Sequence, residues 1–356
     1  MSRAVTLFVG LSAVSLGGML SLSEVRGHGE SQAWQDVGAL SNALVPFRPR
    51  EVDEDTAVEI RRLEGHTAFV TMAAFSANGE TVASACEDGT VRLWNCRTGK
   101  LESTLLGHAG GVLHVAYSPD GNTLATSSRD SKVILWDPIK GEKRATLAEH
   151  TGAVSAALFS PDGRTLATAS DDALVLVREP TGKVRRKLQG HNRPAIALAY
   201  APDGRTLVSS GGFWGNTKNG GQVIAWDLET GKARWSAVGQ FAGIWGLAFA
   251  PDEKTIAGAC LDGTVRIWDA ATGKEKQVLK GHTDRVIWVA YTPSGKTLAS
   301  SSSDRTIRFW DAASGKEKAT LKGHTERVQR LAFSPDGTIL ATTSDDQTIR
   351  IWQLGK

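Results

Sequence analysis

The sequence predicts an all-β fold assembled from seven copies of one unit. Three observations indicate this: a histidine that recurs mostly every 42 residues, an aromatic residue nine positions after it, and a Trp-Asp pair or a variant 28 positions after it. Repetition at a period of this size is typical of arrays in which each repeat is a supersecondary unit stacked on its neighbours. The repeating histidines are His66, His108, His150, His191, His282 and His324.

Three copies depart from the pattern. Copy three has Arg178 where the others have Trp, and its His150 follows Glu149 instead of Gly. Copy four lacks the aspartate found 22 positions after the histidine, and an insertion around residues 213–220 delays its Trp226 by seven residues. Copy five begins at Gln240 and carries Gly258. We expect copies three to five to be the least regular.

Within a copy the residues predict four short strands. In copy six, apolar residues alternate through 286–291, a turn follows at 292–295, and further strands are expected at 297–301, 306–310 and 316–321. The first turn is Ser-Pro-Asp-Gly in three other copies, where Pro presets φ and Gly accepts a positive φ. We find no convincing amphipathic helix in the repeats. Each copy therefore predicts an antiparallel four-stranded sheet.

The Gly-His to Trp-Asp unit with its Ser-Pro-Asp-Gly turn resembles the WD-repeat family over residues 56–356. The resemblance implies a seven-bladed β-propeller of four-stranded antiparallel blades around a central channel. The chain ends just after the third strand of the seventh copy, whereas a strand-like run at 57–63 precedes the first Gly-His. We therefore expect this N-terminal strand to complete the last blade and close the ring, which removes open sheet edges.

The same resemblance implies a role for the repeated polar residues. In the family, the His contacts the turn Asp and a Ser or Thr, and that hydroxyl contacts the Trp indole N–H. Such a satisfied network holds a buried turn in one geometry. The trio of His, Asp and Ser or Thr occurs in five copies. A hydrolase triad is not expected, since no hydrolase needs five nucleophiles. The complete sets are His66, Ser84, Asp88, Trp94; His108, Thr126, Asp130, Trp136; His282, Ser300, Asp304, Trp310; and His324, Thr342, Asp346, Trp352.

Composition narrows the function. A net charge of +3 is small for 356 residues and argues against a nucleic-acid surface, which normally carries a basic stripe. The three cysteines have neither the spacing of a disulfide framework nor that of a zinc site. We accordingly expect no metal and no cofactor, and a monomeric propeller.

The N-terminal segment predicts export. Arg3 gives a basic start, residues 4–22 are apolar and uncharged, and small residues precede a possible cleavage point after Ala33. We assign residues 1–33 to a signal peptide, 34–55 to a linker and 56–356 to the propeller. The alternative is an uncleaved membrane anchor at residues 4–22, whose length is about the minimum for a span.

Function is expected where the copies differ, on the face formed by the loops around the histidines. In the family this narrower face commonly binds proteins or peptides. Trp, Phe and Arg anchor interfaces, and here they gather in copies four to seven. The alternative for each is packing inside the channel or on the blade. The predicted partner-binding residues are Phe213, Trp214, Trp245, Arg285, Trp288, Arg327 and Arg330.

Two functional classes remain open. The first is a non-catalytic scaffold that recognises a protein or peptide and is exported. The second is an enzyme or ligand-binding propeller that acts on a small molecule at the channel mouth. We favour the first, because we find no unrepeated acid-base or metal constellation. His114 is the one histidine off the structural position inside the repeats, and its own copy offers no evident carboxylate partner.

Overall fold

A computed structural model of the protein describes residues 53–212, 220–239 and 243–355. The predicted signal peptide or anchor, and the predicted linker up to residue 52, lie outside these ranges. Within them, no helix is long and apolar enough to cross a membrane.

The described chain forms seven four-stranded antiparallel sheets, which are the blades. Blade 1 consists of β2 (Val70–Phe75), β3 (Thr81–Cys86), β4 (Thr90–Asn95) and β5 (Leu101–Leu106). Blade 2 consists of β6 (Val112–Tyr117), β7 (Leu124–Ser128), β8 (Val133–Asp137) and β9 (Glu142–Leu147). Blade 3 consists of β10 (Val154–Phe159), β11 (Leu166–Ser170), β12 (Val175–Arg178) and β13 (Val184–Leu188).

The remaining blades repeat this order. Blade 4 consists of β14 (Ala195–Tyr200), β15 (Thr206–Gly211), β16 (Gly221–Asp227) and β17 (Ala233–Gly239). Blade 5 consists of β18 (Ile244–Phe249), β19 (Thr255–Cys260), β20 (Thr264–Asp269) and β21 (Glu275–Lys280). Blade 6 consists of β22 (Val286–Tyr291), β23 (Thr297–Ser302), β24 (Thr306–Asp311) and β25 (Glu317–Lys322). Blade 7 consists of β26 (Val328–Phe333), β27 (Ile339–Ser344), β28 (Ile349–Gly355) and β1 (Asp53–Leu63).

The blades form a closed ring. The first strand of each blade contacts the first strand of the next, and β26 contacts β2. These seven strands surround the central channel. The prediction of an all-β, seven-bladed propeller is confirmed.

The N-terminal strand closes the ring as predicted. β1 pairs antiparallel with β28, so that Leu63 lies opposite Ile349 and Val58 opposite Gln353. The guanidinium of Arg350 donates to the carboxylate of Glu59 at 2.6 Å. The strand begins at Asp53, four residues before the run from which it was predicted. Blade 7 thus joins the two ends of the described chain.

Burial follows the position of a strand in its blade. The second strands are almost entirely buried on both faces, because blades stack on either side of them. They carry small residues, as in the Leu-Ala-Thr-Ser-Ser of β7. The fourth strands alternate or expose most residues, because they lie on the circumference. The predicted alternation of period two therefore holds best at the outer edge.

Candidate functional site

The repeated polar residues form one hydrogen-bonded chain in each complete copy. In copy six, His282 Nδ1 donates to Asp304 Oδ2 at 2.8 Å, and Ser300 Oγ lies 2.8 Å from His282 Nε2. The Trp310 indole N–H donates to the same Ser300 Oγ at 2.8 Å. The corresponding distances in copies one, two and seven are 2.8 to 3.0 Å. Every hydroxyl of these chains is fully buried, so none is open to a substrate.

The charge state of these chains follows from their hydrogen bonds. Burial lowers the pKa of His66 and of His108, although a carboxylate faces each ring. Burial alone would raise the pKa of Asp304, but hydrogen bonds from His282 and Thr306 outweigh it and lower the pKa. An ionised Asp beside a neutral His sets the tautomer: Nδ1 carries the proton, and Nε2 accepts from the Ser or Thr hydroxyl.

Copy four contains the same chain with a different acceptor. Gln222 Oε1 takes the place of the missing aspartate and lies 3.1 Å from His191 Nδ1. His191 Nε2 lies 2.6 Å from Ser209 Oγ, which also accepts from the Trp226 indole at 2.7 Å. Gln222 was not predicted from the sequence, because it lies on β16 beyond the insertion and 31 residues from its histidine. Copy four therefore lacks the aspartate, as its sequence shows, but keeps an acceptor for its histidine.

In copy five, side-chain packing and an ion pair take the place of the hydrogen-bonded chain. A side chain on Gly258 would place its Cβ 2.6 Å from Cζ3 of Trp268, so the indole ring occupies the space that a Ser or Thr fills elsewhere. Asp262 accepts instead from Arg266 Nη2 at 3.1 Å and from Thr264 Oγ1 at 2.6 Å. Gln240, the first residue of this copy, lies outside the described residues.

One group of metal-ligating side chains occurs in copy one. Donor atoms of His66, Cys86 and Asp88 lie within 4.8 Å of one another. Both ring nitrogens of His66 already have partners, and burial raises the pKa of the Cys86 thiol to about 12, which disfavours the thiolate that binds metals. The thiol donates to the Ala68 carbonyl at 3.3 Å, as the Ser128 hydroxyl does to Gly110 in copy two. Cys86 therefore serves as a variant of the turn serine.

The channel mouth is built by a β-bulge that recurs in every blade. In each first strand, pairing with the second strand shifts at the position five residues after the repeating histidine, or after Gln240 in copy five. A bulge re-aims the extra residue away from the ladder. All seven of these residues line one cavity of about 440 Å³, which we call the mouth cavity. They are Thr71, Leu113, Ser155, Ile196, Trp245, Ile287 and Gln329.

The wall of the mouth cavity is apolar on one side. Ile196, Trp245 and Ile287 come from consecutive blades 4, 5 and 6, and they pack together with Leu261. All four are buried, with Trp245 the most accessible at 9% exposure. Phe69, from blade 1, also lines the cavity and is 46% exposed. This is the combination of apolar wall and accessible aromatic that anchors ligands.

The other side carries paired charges. Arg327 Nε donates to Asp345 Oδ2 at 2.8 Å, and Gln329 bonds the second oxygen of that carboxylate at 2.5 Å. Arg129 donates to Glu87 of the neighbouring blade at 2.7 to 3.1 Å through two nitrogens. The carboxylate of Glu87 raises the pKa of Arg129. These pairs fix the charged rim of the mouth cavity.

Arg330 crosses the channel below this rim. Its Nη1 donates to the Leu113 carbonyl at 3.2 Å, so that blade 7 reaches blade 2 past blade 1. Its guanidinium carbon lies 4.5 Å from the ring centroid of Trp288 on blade 6. The ring of His114 lies 6.3 Å from that of Trp288. Burial, and secondarily the charge of Arg330, lower the pKa of His114 well below its usual value, so His114 is neutral.

The structure brings three of the predicted partner-binding residues together. Trp245, Arg327 and Arg330 line the mouth cavity, whereas Trp288 is buried against Arg330, with 8% exposure. Arg285 is partly exposed and does not line the cavity. Phe213 and Trp214 lie outside the described residues. The lining residues Phe69, Glu87, Arg129 and Gln329 were not among those predicted from the sequence.

Comparison with known proteins agrees with this geometry. A family model described as "WD domain, G-beta repeat" matches residues 57–95, 99–137, 141–177, 182–227, 235–269, 273–311 and 315–353. Each matched segment begins with the fourth strand of one blade and ends with the third strand of the next. This offset makes β1 the fourth strand of blade 7.

Two curated proteins are similar to about one repeat of the chain. Small ribosomal subunit protein RACK1 of Trypanosoma brucei brucei is 48% identical over 46 residues, which are 13% of this chain and 14% of that protein. Serine-threonine kinase receptor-associated protein of Gallus gallus is 39% identical over 54 residues, which are 15% of each chain. The matched stretch thus spans 14 to 15% of the length of these relatives.

Proposed function

We propose, because this chain belongs to the WD-repeat family, that it is a non-catalytic scaffold which binds a protein or peptide partner at the channel mouth. The observation that carries the proposal is the mouth cavity. All seven blades contribute their bulged residue to it, and these seven residues are of six different types. A repeated framework with a varied lining is what a recognition surface requires.

The relatives support the same class of role. One is named as a ribosomal subunit protein and the other as a receptor-associated protein, so both names describe association with other macromolecules. The non-catalytic part of the proposal is supported by the buried His, Asp and Ser or Thr chains. Their hydroxyls are hydrogen-bonded to indole and imidazole nitrogens inside the blades, where they stabilise turns.

The experiment compares a variant with two substitutions in the mouth cavity with a variant that carries two substitutions elsewhere on the surface. Full-length protein carrying Phe69→Ala and Arg327→Ala is used to capture partners by affinity purification with quantitative mass spectrometry. The control variant carries Leu106→Ala and Ile139→Ala, whose side chains are 71% and 86% exposed and do not line the mouth cavity. We expect the first variant to lose the partners that wild type and control retain. Equal capture by both variants, with unchanged melting, contradicts the proposal.

A small-molecule function at the same place is the second candidate. The mouth cavity has a volume of about 440 Å³, which lies within the range of about 300–1,000 Å³ common for small-ligand sites. Two results together favour this candidate over the scaffold. They are saturable binding of a metabolite in the mouth cavity, and no captured protein whose binding depends on Phe69 and Arg327.

We also propose that the protein is exported, from the basic start and the apolar run at residues 4–22. Fractionation of producing cells, followed by N-terminal sequencing, tests this. A mature protein that starts at Trp34 supports a cleaved signal, whereas a membrane-bound protein that retains residues 4–22 supports the anchor. A protein in the cytoplasmic fraction with its N-terminal segment intact contradicts both.

A further inference from the structure

Arg330 is the one arginine of the mouth cavity that has no carboxylate partner among the described residues. Arg129 is paired with Glu87 and Arg327 with Asp345, at distances of 2.7 and 2.8 Å. Arg330 instead donates one bond to the neutral Leu113 carbonyl and stacks on the Trp288 ring. Its remaining guanidinium donors have no hydrogen bond to any described residue.

This arrangement leaves a positive charge on a side chain that is only partly exposed to solvent. Desolvation lowers the pKa of Arg330 to about 10, so the group still carries its charge at neutral pH. Stacking on an aromatic ring stabilises a cation only partly. His114 is neutral and supplies no counter-charge. A partly buried cation without a counter-ion is stabilised when an anion binds beside it.

We propose that Arg330 recognises a carboxylate of the bound peptide inside the mouth cavity. This inference rests on the proposed function, because it names the chemistry by which the same cavity selects its partner. The guanidinium offers a planar pair of donors, which matches the two oxygens of a carboxylate.

The surroundings decide between a carboxylate and a phosphate group. A carboxylate carries one negative charge, which one unpaired guanidinium neutralises. A phosphate monoester carries about −1.5 to −2 at neutral pH. The excess charge would meet Glu87 and Asp345 at the rim, and also Asp171, which acts on Arg129. The rim thus disfavours phosphate.

The apolar wall adds a second requirement. Ile196, Trp245 and Ile287 lie on the side of the cavity away from the charged rim. A ligand whose carboxylate reaches Arg330 therefore needs an apolar group next to it to fill this wall. An acidic residue flanked by leucine-like residues, or a C-terminal carboxylate on an apolar residue, satisfies both conditions.

The experiment measures binding of short peptides to the full chain by saturation-transfer NMR and calorimetry. The probes are acetyl-Leu-Glu-Leu-amide, its Gln and Lys analogues, its phosphoserine analogue, and acetyl-Leu-Leu with a free terminal carboxylate. We expect the Glu peptide, the free-carboxylate peptide, or both to bind at least about tenfold more tightly than the Gln peptide. Which of the two binds identifies the source of the carboxylate.

Variants then locate the site. Arg330→Gln is expected to abolish the preference for Glu over Gln, and Arg330→Lys to retain part of it. Arg205→Gln removes the same charge from an exposed residue outside the cavity and is expected to leave the preference intact. The comparison of peptides on wild type decides the proposal even where an Arg330 variant fails to fold.

Three results would overturn the proposal. If neither the Glu peptide nor the free-carboxylate peptide binds more tightly than the Gln peptide, the carboxylate site is removed, while partner capture through Phe69 and Arg327 still stands as a separate result. Tighter binding of the Lys or phosphoserine peptide assigns the cavity to another chemistry. A preference for Glu that survives Arg330→Gln places the recognition elsewhere.

Discussion

Arg178 Nη1 lies 2.6 Å from Glu149 Oε2, and these two residues are the departures of copy three from the repeat. The other copies explain why they occur together. A Cβ on Gly107 would lie 3.0 Å from Cη2 of Trp136, and one on Gly323 would lie 2.8 Å from Cη2 of Trp352. The glycine before the histidine thus makes room for the indole ring. In copy three, Arg178 replaces the Trp. The Glu149 side chain therefore fits at the glycine position and pairs with the Arg178 guanidinium.

Exchanging only one member of this pair should destabilise the protein. Arg178→Trp alone places an indole against the Glu149 side chain, and such overpacking costs about 1–3 kcal/mol. Glu149→Gly alone leaves a guanidinium that is 1% exposed without its carboxylate. Since the Glu149 side chain is 45% exposed and solvent screens the pair, we expect a loss of about 1–2 kcal/mol.

The double variant, Glu149→Gly with Arg178→Trp, restores the Gly-His and Trp of the other copies. We expect it to be more stable than either single variant, with a coupling free energy of about 1–3 kcal/mol in a double-mutant cycle measured by urea unfolding. Additive losses would show that the two positions are independent.

Replacing the aspartate of a complete hydrogen-bonded chain should lower the free energy of unfolding more than replacing the aspartate of copy five. Asp304→Ala leaves His282 Nδ1 and the Thr306 hydroxyl without their acceptor in a buried turn, at a cost of about 1–3 kcal/mol. Asp262→Ala removes an exposed acceptor from Thr264, while Arg266 retains Glu275 at 2.6 Å. We expect a loss of less than about 1 kcal/mol there. Denaturant midpoints of the two variants give the comparison, and equal shifts would contradict the structural assignment.

The sequence predicted the fold well and the site partly, for a physical reason. Copies of one unit show the strands, the turns and the closing strand directly, because the same local pattern recurs. Gln222 was missed because its contact with His191 depends on where the chain re-enters blade 4 after the insertion. The contact of Arg330 with the Leu113 carbonyl was also not predictable, since Leu113 lies 217 residues away across the channel. Contacts across a channel leave no periodic signal.

His191 should make the stability of the protein fall below pH 6.5. Burial lowers the pKa of His191 to about 4, and the hydrogen bond with the neutral Gln222, which raises the pKa, offsets only part of this shift. In the unfolded chain the pKa is about 6.5. Folding therefore favours the neutral ring. The contribution of the neutral His191 ring to the free energy of unfolding is fully present above pH 6.5. This contribution, about 3 kcal/mol, is lost as the pH falls toward 4.

Gln222→Glu tests this assignment. A carboxylate at Nδ1 favours the protonated ring, so we expect the pKa of His191 to rise and the loss of stability between pH 7 and 4.5 to shrink by about 1–2 kcal/mol. Gln353→Glu adds the same charge at an exposed position and serves as the control. The pKa is read from the NMR titration of the imidazole. An unchanged titration in Gln222→Glu would rule out the contact.

The closing strand should be needed for the stability of the whole ring. Leu63 is 1% exposed, pairs with Ile349 and packs in a core with Val70 and Trp94, so it links blade 7 to blade 1. Leu63→Ala is expected to cost about 2–4 kcal/mol, because it leaves a cavity between blades. Leu106→Ala, on the outer strand of blade 1 with 71% exposure, should change stability by less than about 0.5 kcal/mol. Deletion of residues 53–63 is expected to expose the edge of β28 and cause aggregation. A deletion variant that stays monomeric and melts like the full chain would show that the ring is held without β1.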